Sequence, residues 1–296
     1  MALYNVHKRK TLDRLTLTYQ LQLREVYRKK TEGLVSKMHA ALDGELPQFD
    51  PFDAHDKQLD ERLHKVFKQF QDHVIVVGIS DGIQEVSPEN KLGAWEKYPI
   101  DMPIESTIPL EGGVALAGRR DDLAEQYKKK RAVTLADRLR EYIEDSKNNY
   151  LHNIRKAFAN AANGWLAGEH GEDEVKLYLR KALVSTDSES QGILRTETTN
   201  YFNTTRHDYF ASQTAADWIE LYAVTDGRIS KICEDRHGFC IPMGKAGERK
   251  YMPAFHKWCR TIQRPLFSSL PSHRAIIQKS ESMNEASFTP LPRGWA

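Results

Sequence analysis

Apolar residues three and four apart recur over long stretches of this chain, and that spacing commits most of it to helices. Residues 121–165 place Leu135, Leu139, Ile143, Ile154, Phe158 and Ala162 in one such pattern. Residues 55–73 repeat it with Leu59, Leu63, Val66, Phe67 and Phe70 on a single face. Residues 11–40 carry Leu12, Leu15, Tyr19, Leu23, Val26 and Leu34, mostly at helical spacing, although Leu15 to Leu23 also alternates with period two as a strand would. Long flanks rich in Arg, Lys, Glu and Gln favour the helix. GEHGED at 168–173 breaks the pattern, and Glu172 or Asp173 can cap a short helix over 174–184. STDSES at 185–190 then leads to another helix over about 190–213.

Other segments read differently. VIVVGI at 74–79 is a buried strand or a helix end. Residues 80–120 hold no period and are rich in Gly, Pro, Asp and Ser. An unstructured loop of that length is improbable inside a compact domain, so an ordered excursion lying on a partner, or a linker, is expected. WIELYAV at 218–224 reads as a strand, TDGR as a turn and RISKI as a returning strand. Residues 265–296 repeat proline without a clear period and read as an extended tail. The expected architecture is α+β: mostly helical with long helices, and a small C-terminal β module carrying a Cys/His cluster. The expected divisions are a helical region with an irregular segment over 1–120, a domain over 121–264 and a tail over 265–296.

Charge narrows the function classes. With 43 basic and 41 acidic residues the net charge is +2, so only local clusters can argue for nucleic acid. One such cluster is Lys128, Lys129, Lys130 and Arg131, either a solvated helix face or a non-specific DNA contact. A hydrophobic content of 40% is a little low for a compact globule and suits surface that is covered only in an assembly. No apolar run approaches the ~18–20 residues that cross a bilayer. MALYNVHKRK has no apolar core segment, so no signal peptide is expected. Three cysteines in a chain of this length argue against a disulfide framework and for a reducing cytosol.

All three cysteines lie in DGRISKICEDRHGFCIPMGKAGERKYMPAFHKWCR, residues 226–260. His256 and Cys259 are spaced to chelate one ion from a tight turn, and Cys233 and Cys240 can supply the other two ligands of a tetrahedral zinc. His237 competes for the fourth place. Buried thiols are the plain alternative. A nucleophilic cysteine with His237 or His256 as its base is another, although no glycine-rich oxyanion loop surrounds any of the three. The geometry expected of the metal reading is Cys233 and Cys259 sulfurs within about 4 Å of each other.

The order of these features resembles the phage head-morphogenesis family, the minor head proteins like the F protein of phage Mu. A helix with ILRTETTNYFNTTRHDY (193–209) precedes WIELYAVTDGRISKICEDRHG (218–238), and P-x2-H-x2-CR (253–260) closes the pattern. The family's Arg-Thr-Glu triplet falls on Arg195, Thr196 and Glu197, its Asp turn on Asp226, its first cysteine on Cys233, its glycine on Gly238, and its terminal motif on His256, Cys259 and Arg260. Lys257 stands where the family has proline, Thr261 where it has a last cysteine, and Arg236 where some members have a second cysteine. The likeness covers roughly residues 120–262.

The resemblance implies a non-enzymatic minor head protein of the virion, inside the capsid near the portal and in the host cytoplasm during assembly. Its implied partners are the portal protein, capsid or scaffold proteins, and DNA without sequence preference, with no membrane during assembly. The expected work is head assembly and packaging or delivery of DNA. On the residues alone, Arg195 and Glu197 are structural, the first a candidate for a buried ion pair that fixes helix to strand. Two other classes stay open: a metal-dependent nuclease or cysteine hydrolase using residues 226–259, and a DNA-binding adaptor with a structural zinc.

Overall fold

The computed structural model describes residues 2–42, 56–86, 114–167 and 172–293. The fold is α+β and mostly helical. Long helices α1 (Ala2–Leu42), α2 (Lys57–Val86), α3 (Val114–Lys130), α4 (Ala132–Leu166) and α5 (Glu172–Gln213) precede a small C-terminal module. That module holds β1 (Trp218–Tyr222), α6 (Lys231–Arg236), β2 (Cys240–Pro242), α7 (Met243–Ala246), β3 (Ile262–Leu266) and α8 (Pro271–Ser280). No helix among the described residues is long and apolar enough to cross a membrane.

The described chain forms two compact units, both discontinuous in sequence: Asp13–Gln71 with Val133–Leu194, and Met1–Leu12 with Asp72–Ala132 and Arg195–Ala296. They cut across the three divisions expected from the sequence. We call the first the helical unit and the second the module unit.

In the helical unit the three-four spacing is the packing. Leu135, Leu139, Tyr142, Tyr150, Leu151, Ile154, Ala157 and Ala161 of α4 are all buried, as are Leu15, Tyr19, Leu23 and Tyr27 of α1 and Leu59, Leu63, Phe67 and Phe70 of α2. The period-two run Leu15–Leu23 is helical, because Tyr19 and Leu23 reach the core at helical spacing while Leu17 and Leu21 are left exposed. Aromatic pairs Tyr27–Tyr150 and Tyr19–Phe70 sit at centroid separations of 4.7 and 5.5 Å. STDSES does not interrupt α5, which runs unbroken from Glu172. Thr186 bonds back to the Ala182 carbonyl, and Asn153 of α4 donates to both Thr186 and Glu189. Polar side chains that favour turns in isolation are thereby used inside the helix pair.

In the module unit VIVVGI lies within α2, not in a strand. Gly78 and Gly82, one turn apart, let α2 approach α5 closely. A Cβ at Gly78 would stand 3.1 Å from Thr205 Cβ, and one at Gly82 would stand 2.9 Å from the Tyr209 ring. The sheet has order β2-β1-β3 and is antiparallel throughout, with β1 central. RISKI does not return as a strand, because Ser230 accepts from the Cys233 N–H and starts α6. Residues 265–293 are not simply an extended tail. They give the last residues of β3 and all of α8, and the chain folds back so that Asp235 accepts from Thr289 and Phe288 packs edge-on against Phe239. Within 80–120, α2 continues to Val86 and α3 begins at Val114; the rest of that irregular segment lies outside the described residues.

The second half of α5 holds the module through a row of polar side chains at spacing 3-4-3. Thr196 accepts from the Trp258 N–H, and Thr199 donates to the Cys259 carbonyl. Asn203 donates to the Thr261 carbonyl and accepts from the Gln263 N–H. Arg206 donates to the Gln263 carbonyl. The backbone from 258 to 263 thus finds on a helix face the partners a strand would otherwise supply.

Candidate metal centre

The site grows out of three local structures. The N-cap at Ser230 places Cys233 in the first turn of α6. The chain from His256 closes a tight turn in which the Cys259 N–H donates to the His256 carbonyl. Trp258 inside that turn has φ 68°, the only non-glycine residue with positive φ among those described. The Thr196 hydroxyl holds its N–H, so α5 braces the strained position.

Cys233, His256 and Cys259 converge, their candidate ligand atoms all within 4.8 Å of one another. The two sulfurs are 3.7 Å apart. Two zinc–sulfur bonds of about 2.3 Å at a tetrahedral angle span about 3.8 Å. His256 Nε2 lies 3.0 Å from the Cys233 sulfur and 2.7 Å from the Ser230 hydroxyl. His256 Nδ1 lies 2.6 Å from the Lys257 carbonyl, which can only accept. The Nδ1 proton is therefore fixed there and the Nε2 lone pair is turned toward the sulfurs, the arrangement that orients a metal-binding imidazole. Two sulfurs and an imidazole are a donor set that suits zinc. The residues present fit the ion, with three protein ligands.

Cys240 is not among them. It lies in β2 opposite Glu220, and its sulfur is directed at the Gly238 and Ile276 carbonyls while the residue packs with Leu266 and Ile277. Burial pushes its thiol up to about 11, as befits a packing residue. The reason is the register of β2: a residue of that strand paired with β1 cannot also turn to the loop where His256 sits. His237 is engaged elsewhere, accepting at Nδ1 from the Ala223 N–H and packing on Tyr222.

The electrostatics follow from the contacts. A hydrogen bond from the Cys259 thiol holds Cys233 down to about 4, with burial opposing and His256 and Ser230 adding to the effect. Burial, and then the Cys233 sulfur beside it, push Cys259 up. Burial is the largest influence on His256 and disfavours its charge, but the bond to Cys233, the charge of that sulfur and the Lys257 carbonyl together outweigh it and raise the imidazole. Without an ion the three groups share protons that a divalent ion would displace.

Asp226 and Arg260 close the site from the side. Both guanidinium nitrogens meet both carboxylate oxygens, at 2.6 and 2.7 Å, and Arg228 adds a longer contact. The bond to Arg260 holds Asp226 far below the usual carboxylate range. Glu197 is buried and accepts from Asn200, and Arg195 is half-buried. The basic run is largely engaged: Lys128 meets Glu125 and Asp72, while Lys130 and Arg131 meet Asp208. Lys129 is exposed.

The residues not anticipated from the sequence are Ser230 and the α5 row Thr199, Asn203 and Arg206. Ser230 carried a readable signal only as a residue type that favours N-cap positions, since the position three residues on is Cys233 and not the Glu or Gln of a capping box. The α5 row carried none beyond its 3-4-3 spacing, which polar residues share with any solvated face.

Comparison with family models, with curated proteins and with solved structures finds no match to this chain.

Proposed function

We propose that this chain is a minor head protein of a phage, which binds the portal from inside the capsid and assists head assembly and the packaging or delivery of DNA, and that its module is pinned by zinc on Cys233, His256 and Cys259. One observation carries the reading. The segments that bear the family resemblance come from separate places in the sequence, yet they are bonded to one another in the fold: Arg260 to Asp226, Cys259 to Cys233, and the backbone of Trp258 and Cys259 to Thr196 and Thr199 of α5. A chance motif match has no reason to be mutually bonded. The metal would hold the loop from 233 to 259, in a module whose sheet has strands of only three to five residues.

The long helices and the irregular segment suit contacts in a larger assembly, and residues 1–120 or 265–296 are the expected portal-binding parts. The test is co-purification with the cognate portal protein. The full chain is expected to be retained by the portal. Absence of any association with portal or capsid proteins would overturn the head-protein reading.

A second reading is favoured by one contact, Cys233 beside His256 in the first turn of a helix. That is the arrangement of an activated cysteine nucleophile. A thiol-reactive probe separates the two readings. A zinc ligand is protected from iodoacetamide until a chelator is added, whereas a free nucleophile is alkylated at Cys233 at once and zinc makes no difference.

A further inference from the structure

We infer that the Cys233–His256–Cys259 centre is an open site: its fourth coordination position is left to solvent, faces the cleft beside Ser230, and takes a monodentate anion in place of water. This rests on the reading of the three residues as metal ligands and adds what that reading leaves unsaid, the count of protein ligands and the chemistry of the remaining one.

The count follows from where the other donors are. Among the described residues, no fourth Cys, His, Asp or Glu joins the group. Cys240 is held in the β2–α8 packing with its sulfur on two backbone carbonyls. His237 spends Nδ1 on the Ala223 N–H. Both oxygens of Asp226 are taken by Arg260. A closed structural zinc has four protein ligands, whereas three protein ligands leave a place for water or another donor.

The position of the opening follows from the cleft. Cys233 and His256 line it together with Ser230, Arg228, Arg260 and Trp258, so two of the three candidate ligands border it while Cys259 lies buried behind them. Ser230 Oγ, 2.7 Å from His256 Nε2, stands at the edge of the opening as a hydroxyl able to hydrogen-bond to whatever enters. The charge of the rim sets the ligand class. Arg228, with its side chain 77% exposed, and Arg260 face the single carboxylate of Asp226, which leaves the rim net positive. Two thiolates cancel the charge of a divalent ion, so an incoming anion meets a neutral centre within a cationic rim.

Cobalt(II) tests this without any assay of function, because its spectrum reports both the thiolate ligands and the coordination number. The full reduced chain is titrated with cobalt chloride under anaerobic conditions, and then with sodium azide. The expected result is uptake of about one ion per chain, a sulfur-to-cobalt band set by two thiolates, and visible bands that shift saturably with azide. C233S and C259S should each remove about half of the sulfur band or abolish uptake. C240S and C240A should keep the spectrum and the azide response, with circular dichroism checking that each variant remains folded. The inference is overturned if the wild-type bands do not respond to azide, or if a folded Cys240 variant loses a share of the sulfur band. Either result means a closed shell with the metal reading intact. If the folded chain takes up no cobalt, the metal reading itself falls and this inference falls with it.

Discussion

The helical unit and the module unit bury polar residues of different kinds. Those buried in the helical unit, among the described residues, are Thr16, Gln20, Thr31, Gln71, Ser146, Thr186 and Ser190, all uncharged. The buried charges, Asp81, Arg120, Glu197, Arg206, Glu220 and Arg236, all fall in the module unit. One unit is assembled by apolar stripes and needs polar groups only to finish its hydrogen bonding, as where Tyr27 meets Ser146 at 2.6 Å. The other has short strands, and besides buried apolar residues such as Ile75, Phe202, Ile219 and Phe255 it is joined by directed contacts between charged and polar groups. A stripe tolerates exchange of one apolar residue for another. A directed contact does not, because its partner is left buried and unsatisfied.

The largest expected effect tests that difference at the Asp81–Arg206 pair. Arg206 is fully buried, lies 2.8 Å from Asp81, and sits over the Phe202 and Phe210 rings. Asp81→Ala leaves a charge without its counter-ion and should cost about 3–5 kcal/mol in chemical denaturation. The double variant Asp81→Ala, Arg206→Met should recover a large part of the loss, since replacing both ions with apolar groups is often near neutral. In the helical unit the matching experiment is Leu63→Ala, at a fully buried position. It should cost about 3 kcal/mol as a cavity, and no second change at a polar neighbour should restore it. If the double variant in the module unit is no more stable than Asp81→Ala alone, the contrast between the units fails at its strongest point.

The same contrast explains what was legible in the sequence. The helices of the helical unit were readable because burial of Leu59, Leu63, Leu135 and Leu139 imposes the period that the sequence displays. The continuity of α5 through STDSES was not, since it depends on Asn153 of another helix reaching Thr186 and Glu189. In the module unit β1 was readable from its aromatic and β-branched composition. Helix α6 was missed because RISKI fits a strand as well, and the deciding contact is one serine hydroxyl. At the site, the sequence spacing identified Cys233, His256 and Cys259. It placed Cys240 with them because distance along the chain carries no information about strand register, and register is what takes Cys240 away. The partners of Asp226 and Asn203 lie 34 and about 60 positions away, which no local pattern encodes.

Acid should separate the units by degree. Asp226 is held low by Arg260, and Asp235 is held at about 2 by Lys231 and Thr289. A carboxylate whose folded pKa is depressed adds stability above its unfolded value, near 3.9, and loses it as pH falls toward the folded value. The Asp226–Arg260 and Asp235–Thr289 contacts join segments of the module unit that are distant in sequence, although Lys231, one turn away in α6, is the larger cause at Asp235; the lowered Glu25 of the helical unit pairs with Arg28 within one helix turn and has no distant partner among the causes of its shift. Hydrogen exchange resolved by segment should therefore show residues 226–236 and 256–262 losing protection between about pH 4 and pH 2, ahead of α1 and α4. Equal loss across both units would show that the distant contacts of the module contribute no more than a surface helical pair.

The smallest effect concerns backbone, and it should reverse sign between the units. Trp258 occupies the left-handed region at φ 68°, which costs a residue with a Cβ about 1–2 kcal/mol and glycine nothing. The residue is 36% exposed, so truncation removes only part of a buried surface. Trp258→Ala loses ring contacts and keeps the strained Cβ, whereas Trp258→Gly loses the same contacts and relieves the strain. Glycine should therefore exceed alanine at 258 by about 1 kcal/mol, after allowance for its larger unfolded-state entropy. At Asn148, an exposed position inside α4, the order inverts, and alanine should exceed glycine by about 1 kcal/mol. Both differences are read from urea midpoints of the two pairs of variants. The comparison within each pair cancels the lost side chain and leaves the backbone term alone. Alanine outranking glycine at 258 as well as at 148 would mean that the turn bearing His256 and Cys259 relaxes when the ring is removed. The Thr196 bond to the Trp258 N–H would then not be what keeps His256 and Cys259 in place.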